Sequence, residues 1–186
     1  MPDVESVQLM FEQEYQAACA RHTDIHAHLP LLRKLCDRCD HVTEFGVRTG
    51  ESSRAILSSR ARIIRMYDLC LNPQVQHMVD QAVHKHITYE AADTRTVTIE
   101  PTDLLFIDTL HTYEQLTQEL ARHAWKVRRY IMFHDTHTFG LQDEPGHSGP
   151  GLLPAILEFM AEVRYWRLIH HTVQNNGCTV LERQQI

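Results

Sequence analysis

Two apolar runs in this chain end in groups that handle protons and metals. DLLFID (103–108) stops at Asp108, and His111 follows three residues later. YIMFHD (130–135) delivers His134 and Asp135, with His137 just beyond. Two carboxylates brought to ~4–5 Å repel unless a proton or a cation sits between them. A divalent ion such as Mg²⁺ meets that need and keeps waters that a substrate diol can displace. A cation held there lowers the pKa of a substrate hydroxyl, and a neutral imidazole at His111 would take its proton. Asp108, His134 and Asp135 are therefore the candidate metal ligands, and His111 with Asp108 the candidate catalytic pair. Taken singly, each residue has a plainer reading. Asp108 suits a cap for the helix that begins near 112, and His134 suits a core residue with one nitrogen on the backbone.

A further cluster lies nearer the N-terminus, in TEFGVRTGESS (43–53). Gly46 and Gly50 can take backbone angles closed to other residues and let a ligand approach the main chain. The helix start beyond them offers free N–H groups. Glu44, two residues before Gly46, is placed to hold a ligand ammonium group, directly or through water. Asp68, at the end of the next apolar run, is placed to accept hydrogen bonds from a ribose diol. The glycine spacing is not the G-x-G-x-x-G dinucleotide fingerprint.

The elements that must position these residues are legible from periodicity. Helical spacing covers 4–20, and Asp24 is placed to cap a second helix carrying Leu29, Leu32 and Leu35, with Pro30 in its first turns. From 41 onward strands alternate with helices: strands at 41–47, 61–69, 86–93, 103–108 and 128–135, with helices at 50–60, 73–84 and 112–127 between them. A polar stretch, 136–151, precedes a helix at 151–163. Two last strands, 166–173 and 177–183, flank QNNG, a hairpin signal. This pattern predicts one α/β domain over 1–186. Its seven-stranded sheet is doubly wound, mixed but mostly parallel, with an antiparallel C-terminal strand. Ligands bind such sheets beyond the carboxyl ends of the strands, where Glu44, Asp68, Asp93, Asp108 and Asp135 should gather.

The chain here resembles the class I S-adenosylmethionine-dependent methyltransferases. The resemblance runs over roughly 41–183 and rests on EFGVRTG (44–50), Asp68, Asp93, DLLFIDTLHTYE (103–114) and the terminal hairpin. It implies a Rossmann-like methyltransferase fold with S-adenosylmethionine as cofactor. Glu44, Gly46, Thr49 and Gly50 would lie at its methionine end. Asp68 would bind the ribose, Asp93 the adenine end, and Tyr67 and Leu69 would pack on the base, with Asp108 closing the site. DTLH (108–111) resembles the D-x-x-H of metal-dependent sugar and natural-product O-methyltransferases. Where those carry an acidic pair after the fifth strand, this chain has His134-Asp135, which favours a softer ion such as Mn²⁺, Fe²⁺ or Zn²⁺. The implied reaction is O-methylation of a small-molecule acceptor.

Composition bounds the alternatives. A net charge of −6 without a basic block argues against a nucleic-acid partner. No apolar run reaches the ~20 residues of a membrane helix, and the acidic N-terminus is unlike a secretory signal. Five scattered cysteines fit reduced thiols in a cytoplasm, and Cys36 and Cys39 read as packing residues of a helix. The helices within 1–40 are expected to cover the acceptor pocket or to build a homodimer, and 136–151 to act as a lid. Two competing readings use the same strand ends. One is a metal-dependent oxygenase or hydrolase; the other is a methyltransferase-like binding module without turnover.

Overall fold

The computed structural model describes residues 3–184. Its elements in chain order are α1 (Val4–Ala20), α2 (Leu29–Cys36), β1 (His41–Phe45), α3 (Glu51–Ser58), β2 (Ile63–Asp68), α4 (Pro73–Gln81) and β3 (His86–Ala91). Then follow β4 (Thr102–Ile107), α5 (Tyr113–His123), β5 (Val127–His134), α6 (Leu152–Glu162), β6 (Trp166–Thr172) and β7 (Cys178–Arg183). The seven strands form one sheet in the order β3-β2-β1-β4-β5-β7-β6. Only β7 runs antiparallel, between β5 and β6.

Alternation within the central strands builds a core on each face of the sheet. Leu104, Phe106 and Met132 join the layer made by α1 to α4. Leu105, Ile107, Ile131 and Phe133 join the layer made by α5 and α6. Because β4 and β5 are covered on both faces, 104–107 and 130–133 read as continuous apolar runs. Strand order reverses between β1 and β4. Register pairs Phe45 with Tyr67 and with Ile107, and Ile107 with Phe133. The next residues therefore leave the sheet at one level.

The helix starts follow local chemistry. Asp3 accepts the Ser6 N–H to cap α1, Asn72 accepts that of Gln74 ahead of Pro73, and Thr112 accepts that of Gln115 to cap α5. Asp24 does not cap α2 as expected. A 3₁₀ turn at His26–His28 intervenes, and α2 starts at Leu29 without a side-chain cap. Asp24 is drawn instead to the Arg48 guanidinium, 2.8 Å away. The helix ends at Cys36, so Cys39 lies beyond it, and both thiols are buried. Helices α1 and α2 pack on α3. No helix among the described residues is long and apolar enough to cross a membrane.

Candidate active site

The turn after β1 departs from ordinary backbone angles. Gly46 has φ of +81° and Arg48 φ of +49°. A Cβ on Gly46 would stand 1.8 Å from the Asp108 carbonyl oxygen, so glycine is what lets the β1 and β4 tips approach this closely. The Gly46 N–H donates to the Tyr67 carbonyl and the Asp108 N–H to that of Phe45, both at 2.9 Å. The Val47 and Arg48 amides donate to Asp68 Oδ2 at 2.8 and 2.7 Å. Asp68 holds the turn with that oxygen, while Oδ1 meets the Cys70 amide at 3.3 Å.

These tips open onto a cleft of about 360 Å³, inside the range of small-molecule sites. Its wall includes Gly46, Arg48, Tyr67, Asp68, Asp93, Thr94, Asp108, His111 and Gln115. A larger open groove of about 700 Å³ is lined by Arg95, Arg122 and Trp125 and contains no carboxylate or histidine. The candidate for chemistry is the cleft at the strand ends, because it, unlike the groove, lies at the carboxyl ends of β1 and β4 where the strand order reverses. Beneath its far end Glu119 is fully buried and accepts hydrogen bonds from Thr94 Oγ1, Gln115 Nε2 and Thr109 Oγ1. Burial raises its pKa to about 7 against the pull of those three donors.

At the other end lies an acid–imidazole cluster. His111 Nε2 is 2.8 Å from Asp135 Oδ2 and 3.4 Å from Asp108 Oδ1. His134 Nδ1 is 3.3 Å from the same Asp135 oxygen and 3.4 Å from the same Asp108 oxygen. The outward nitrogens are committed. His111 Nδ1 meets Glu144 Oε2 at 2.7 Å, and His134 Nε2 meets the Asp24 carbonyl at 3.1 Å. Both partners are pure acceptors, so those nitrogens carry hydrogen. The inward nitrogens then have two options: a second proton each, or a lone pair on a cation. Without a cation, burial opposes the charge on each ring, but Asp108 and Asp135 prevail and push both histidines up to about 10. Burial likewise works against ionised Asp135, yet His111 and His134 hold its carboxyl well below the usual range.

The cluster suits a metal ion. One ligand atom each from Asp108, His111 and Asp135 lie within 4.8 Å of one another. Asp135 Oδ1 is buried without a hydrogen-bond partner. Asp135 also sits at φ of +57°, a costly conformation for a residue other than glycine and one associated with functional sites. Glu144 behind His111 and the Asp24 carbonyl behind His134 supply the outer partners that orient imidazole ligands.

Several expectations change. The compact ligand set contains His111 beside Asp108 and Asp135, while the expected ligand His134, its side chain 1% exposed, keeps Nδ1 within 3.3–3.4 Å of the same two carboxylate oxygens. His111, the expected base, has both ring nitrogens engaged here, Nδ1 by Glu144 and Nε2 by Asp135. Asp108 does not cap α5, because Thr112 does. Glu44 is fully buried and bound by Ser52 and Ser53 hydroxyls at 2.5 and 2.9 Å, which removes it from direct contact with a ligand. Thr49 is exposed and outside the cleft wall. Gly50 is also outside it, starting α3 at φ of +79° against Val75 and Met78. The stretch 136–151, expected as a lid, is hydrogen-bonded to its surroundings at both ends. Asp143 accepts the amides of Tyr113, Gly149 and Gly151, and the His137 and Thr138 amides donate to the Asn176 carbonyl. Glu144, Arg48, Gln115 and Glu119 went unassigned from sequence. Glu144 sits in a polar loop with no periodicity, and the last two read as ordinary polar positions of an amphipathic helix.

Strand order, the single antiparallel strand and the cleft at the switch point together define the class I methyltransferase fold. No protein-family model matches the chain, and no curated protein matches it in sequence. Among solved structures it is similar to the N-methyltransferase NodS of Bradyrhizobium japonicum WM9 in complex with S-adenosyl-L-homocysteine. That match has a TM-score of 0.63 and 12% identity, over 95% of this chain and 99% of that one. It is similar to the 1,6-didemethyltoxoflavin-N1-methyltransferase of Burkholderia thailandensis with bound 1,6-didemethyltoxoflavin and S-adenosylhomocysteine, with a TM-score of 0.66 and 13% identity over 97% and 89%. It is also similar to the magnesium protoporphyrin IX methyltransferase of Synechocystis PCC 6803 with bound S-adenosylhomocysteine, with a TM-score of 0.62 and 14% identity over 87% and 85%. The likeness is one of fold.

Proposed function

We propose that this chain transfers a methyl group from S-adenosylmethionine to an oxygen of a small polar acceptor, such as a sugar or another natural product, with the help of a divalent cation. The observation that carries the reading is one continuous cleft. Residues suited to a nucleoside, Gly46, Asp68 and Asp93, share it with Asp108 and His111, which belong to the acid–imidazole cluster. Asp68 Oδ1 is placed for a ribose diol, and Gly46 allows close approach over the sheet edge. S-adenosylmethionine supplies a methyl group on a positively charged sulfur. A cation held by Asp108, His111 and Asp135 lowers the pKa of an acceptor hydroxyl. The mixed imidazole and carboxylate donors favour Mn²⁺, Fe²⁺ or Zn²⁺ over Mg²⁺.

The chain's own residues do the rest. Glu144 fixes the His111 tautomer and ring plane, and Phe139 stacks on that ring at 4.6 Å. The segment fastened by Asp143 and Asn176 holds Phe139 and Glu144 against His111. The test is calorimetric titration with S-adenosylhomocysteine, S-adenosylmethionine and NAD, with and without Mn²⁺ or Mg²⁺. The adenosyl compounds should bind and NAD should not. Preference for NAD, or no nucleoside binding, overturns the reading. The acceptor is then sought among small hydroxylated compounds by following S-adenosylhomocysteine release.

A further inference from the structure

The open groove of about 700 Å³ takes no part in the proposed methyl transfer. Gln118, Ala121 and Arg122 lie on one face of α5, and Trp125 and Lys126 on the 3₁₀ turn that follows it. Arg95 and Thr98, from the connection between β3 and β4, complete the lining. The lining is cationic in a chain of net charge −6, with Arg95, Arg122 and Lys126 and no acid. The acids beside it are engaged. Asp93 binds the Arg95 guanidinium at 2.8–3.2 Å, and Glu114 accepts from Gln118 Nε2 at 3.1 Å. Arg122 is exposed and makes no hydrogen bond or ion pair among the described residues. Lys126 Nζ donates one N–H to the Ile99 carbonyl at 2.8 Å, which leaves two. Trp125 is 63% exposed, with Lys126 Nζ 5.0 Å from its ring centre. An indole left this open keeps apolar surface in water, and tryptophan and arginine are the residues enriched at the centres of protein contacts.

We propose that this groove docks a short acidic segment of a partner protein, with its carboxylates on Arg122 and Lys126 and an apolar side chain on Trp125. Charge complementarity selects the occupant. Two cations with uncommitted donors match two carboxylates. The helix axis from Gln118 to Trp125 is about 10 Å long, the reach of roughly three extended residues. Nucleic acid fits less well, because a strand longer than the groove meets the field of a molecule that is negative overall. A short peptide stays within the cationic lining. Arg95 is also on the wall of the strand-end cleft, so the seated segment borders the rim of that cleft. Groove and cleft share no other residue, and the inference does not rest on the methyltransferase reading.

The test uses the tryptophan itself. The chain has two, and Trp166 is 3% exposed, so quenching by neutral acrylamide reports on Trp125. The full-length protein is titrated with a capped hexapeptide of four glutamates and two phenylalanines, with the same peptide carrying glutamines for the glutamates, and with hexathymidylate. The acidic peptide should shield Trp125 from acrylamide, and its affinity should fall as salt is added. The glutamine peptide should bind about tenfold more weakly or not at all. Arg122→Glu replaces a cation with an anion and should weaken the acidic peptide by about tenfold. Arg122 has no partner to lose, so that variant should keep the wild-type Tm. Should its Tm fall, Arg122→Gln decides the point, with an expected loss of about twofold or more. No shielding by the acidic peptide, equal binding of the two peptides, or wild-type affinity in the Arg122 variants overturns the proposal. Tighter binding of hexathymidylate than of the acidic peptide also overturns it and assigns the groove to nucleic acid.

Discussion

Gly46→Ala tests the contact on which the site geometry depends. An alanine there keeps φ at +81°, a conformation costing an L-residue roughly 1–2 kcal/mol. Its Cβ must also open a 1.8 Å approach to the Asp108 carbonyl oxygen to about 3.0 Å. The obstacle is backbone, which cannot swing aside as a side chain can. It belongs to the residue that donates its N–H to the Phe45 carbonyl one position before the glycine. Relief requires the β1 and β4 tips to part, at an overpacking cost of roughly 1–3 kcal/mol. The expected loss is therefore roughly 2–5 kcal/mol, and at about 2–4 °C per kcal/mol for this size the Tm should fall by roughly 4–20 °C. Gly146→Ala is the control. Gly146 also has positive φ, at +98°, but a Cβ there meets nothing within 4 Å, so strain alone remains. Thermal unfolding by circular dichroism gives the two Tm values, and calorimetry gives affinity for S-adenosylhomocysteine. Gly46→Ala should lose both stability and binding, and Gly146→Ala should lose a few degrees and keep binding. Equal Tm losses, or wild-type affinity in Gly46→Ala, would refute the reasoning.

Three further outcomes are expected. Glu144→Ala removes the acceptor that orients His111 and should weaken Mn²⁺ binding by about 10–100-fold without altering affinity for S-adenosylhomocysteine; unchanged Mn²⁺ affinity in a calorimetric titration would remove Glu144 from the metal centre. Burial raises Glu44 from an ordinary value of 4.5 to about 8. Between those values the native state keeps a proton that the unfolded chain has released, so this contribution to stability is full below pH 4.5 and is lost as the pH rises through 8. Glu44→Gln lacks it, and its Tm should gain on that of the wild type across that window; a constant difference would show that Glu44 does not titrate there. Asp143→Ala leaves three backbone amides without their acceptor, at a cost of roughly 1–3 kcal/mol. Hydrogen exchange across 137–151 should accelerate while the β-sheet amides stay protected, and unchanged exchange in that stretch would mean Asp143 does not fasten it.

Most of the fold was legible because strand and helix signals are local. The runs at 103–108 and 130–135 read as strands because both faces of β4 and β5 are buried, and QNNG marked the β6–β7 turn. Gly46, Asp68, Asp93 and Asp108 were legible as strand ends or turn glycines, and the structure brings them to one cleft. The roles of single side chains were less legible. Glu44 follows the same strand-end logic as Asp68, yet two serines of α3 bind it beneath the sheet edge. Asp24 satisfies the cap pattern, but Arg48, 24 residues away, holds it instead.

By itself the sequence determined the alternation of strands and helices, the mixed sheet and the level at which acidic tips emerge, since apolar periodicity is a property of neighbouring residues. Tertiary structure alone decided that His111 and His134 both reach the Asp108 and Asp135 oxygens, that Glu144 stands behind His111, and that Glu119 gathers Thr94, Thr109 and Gln115. Those outcomes depend on charges and hydrogen-bond donors carried to one place by separate crossovers, and no local pattern along the chain encodes that meeting.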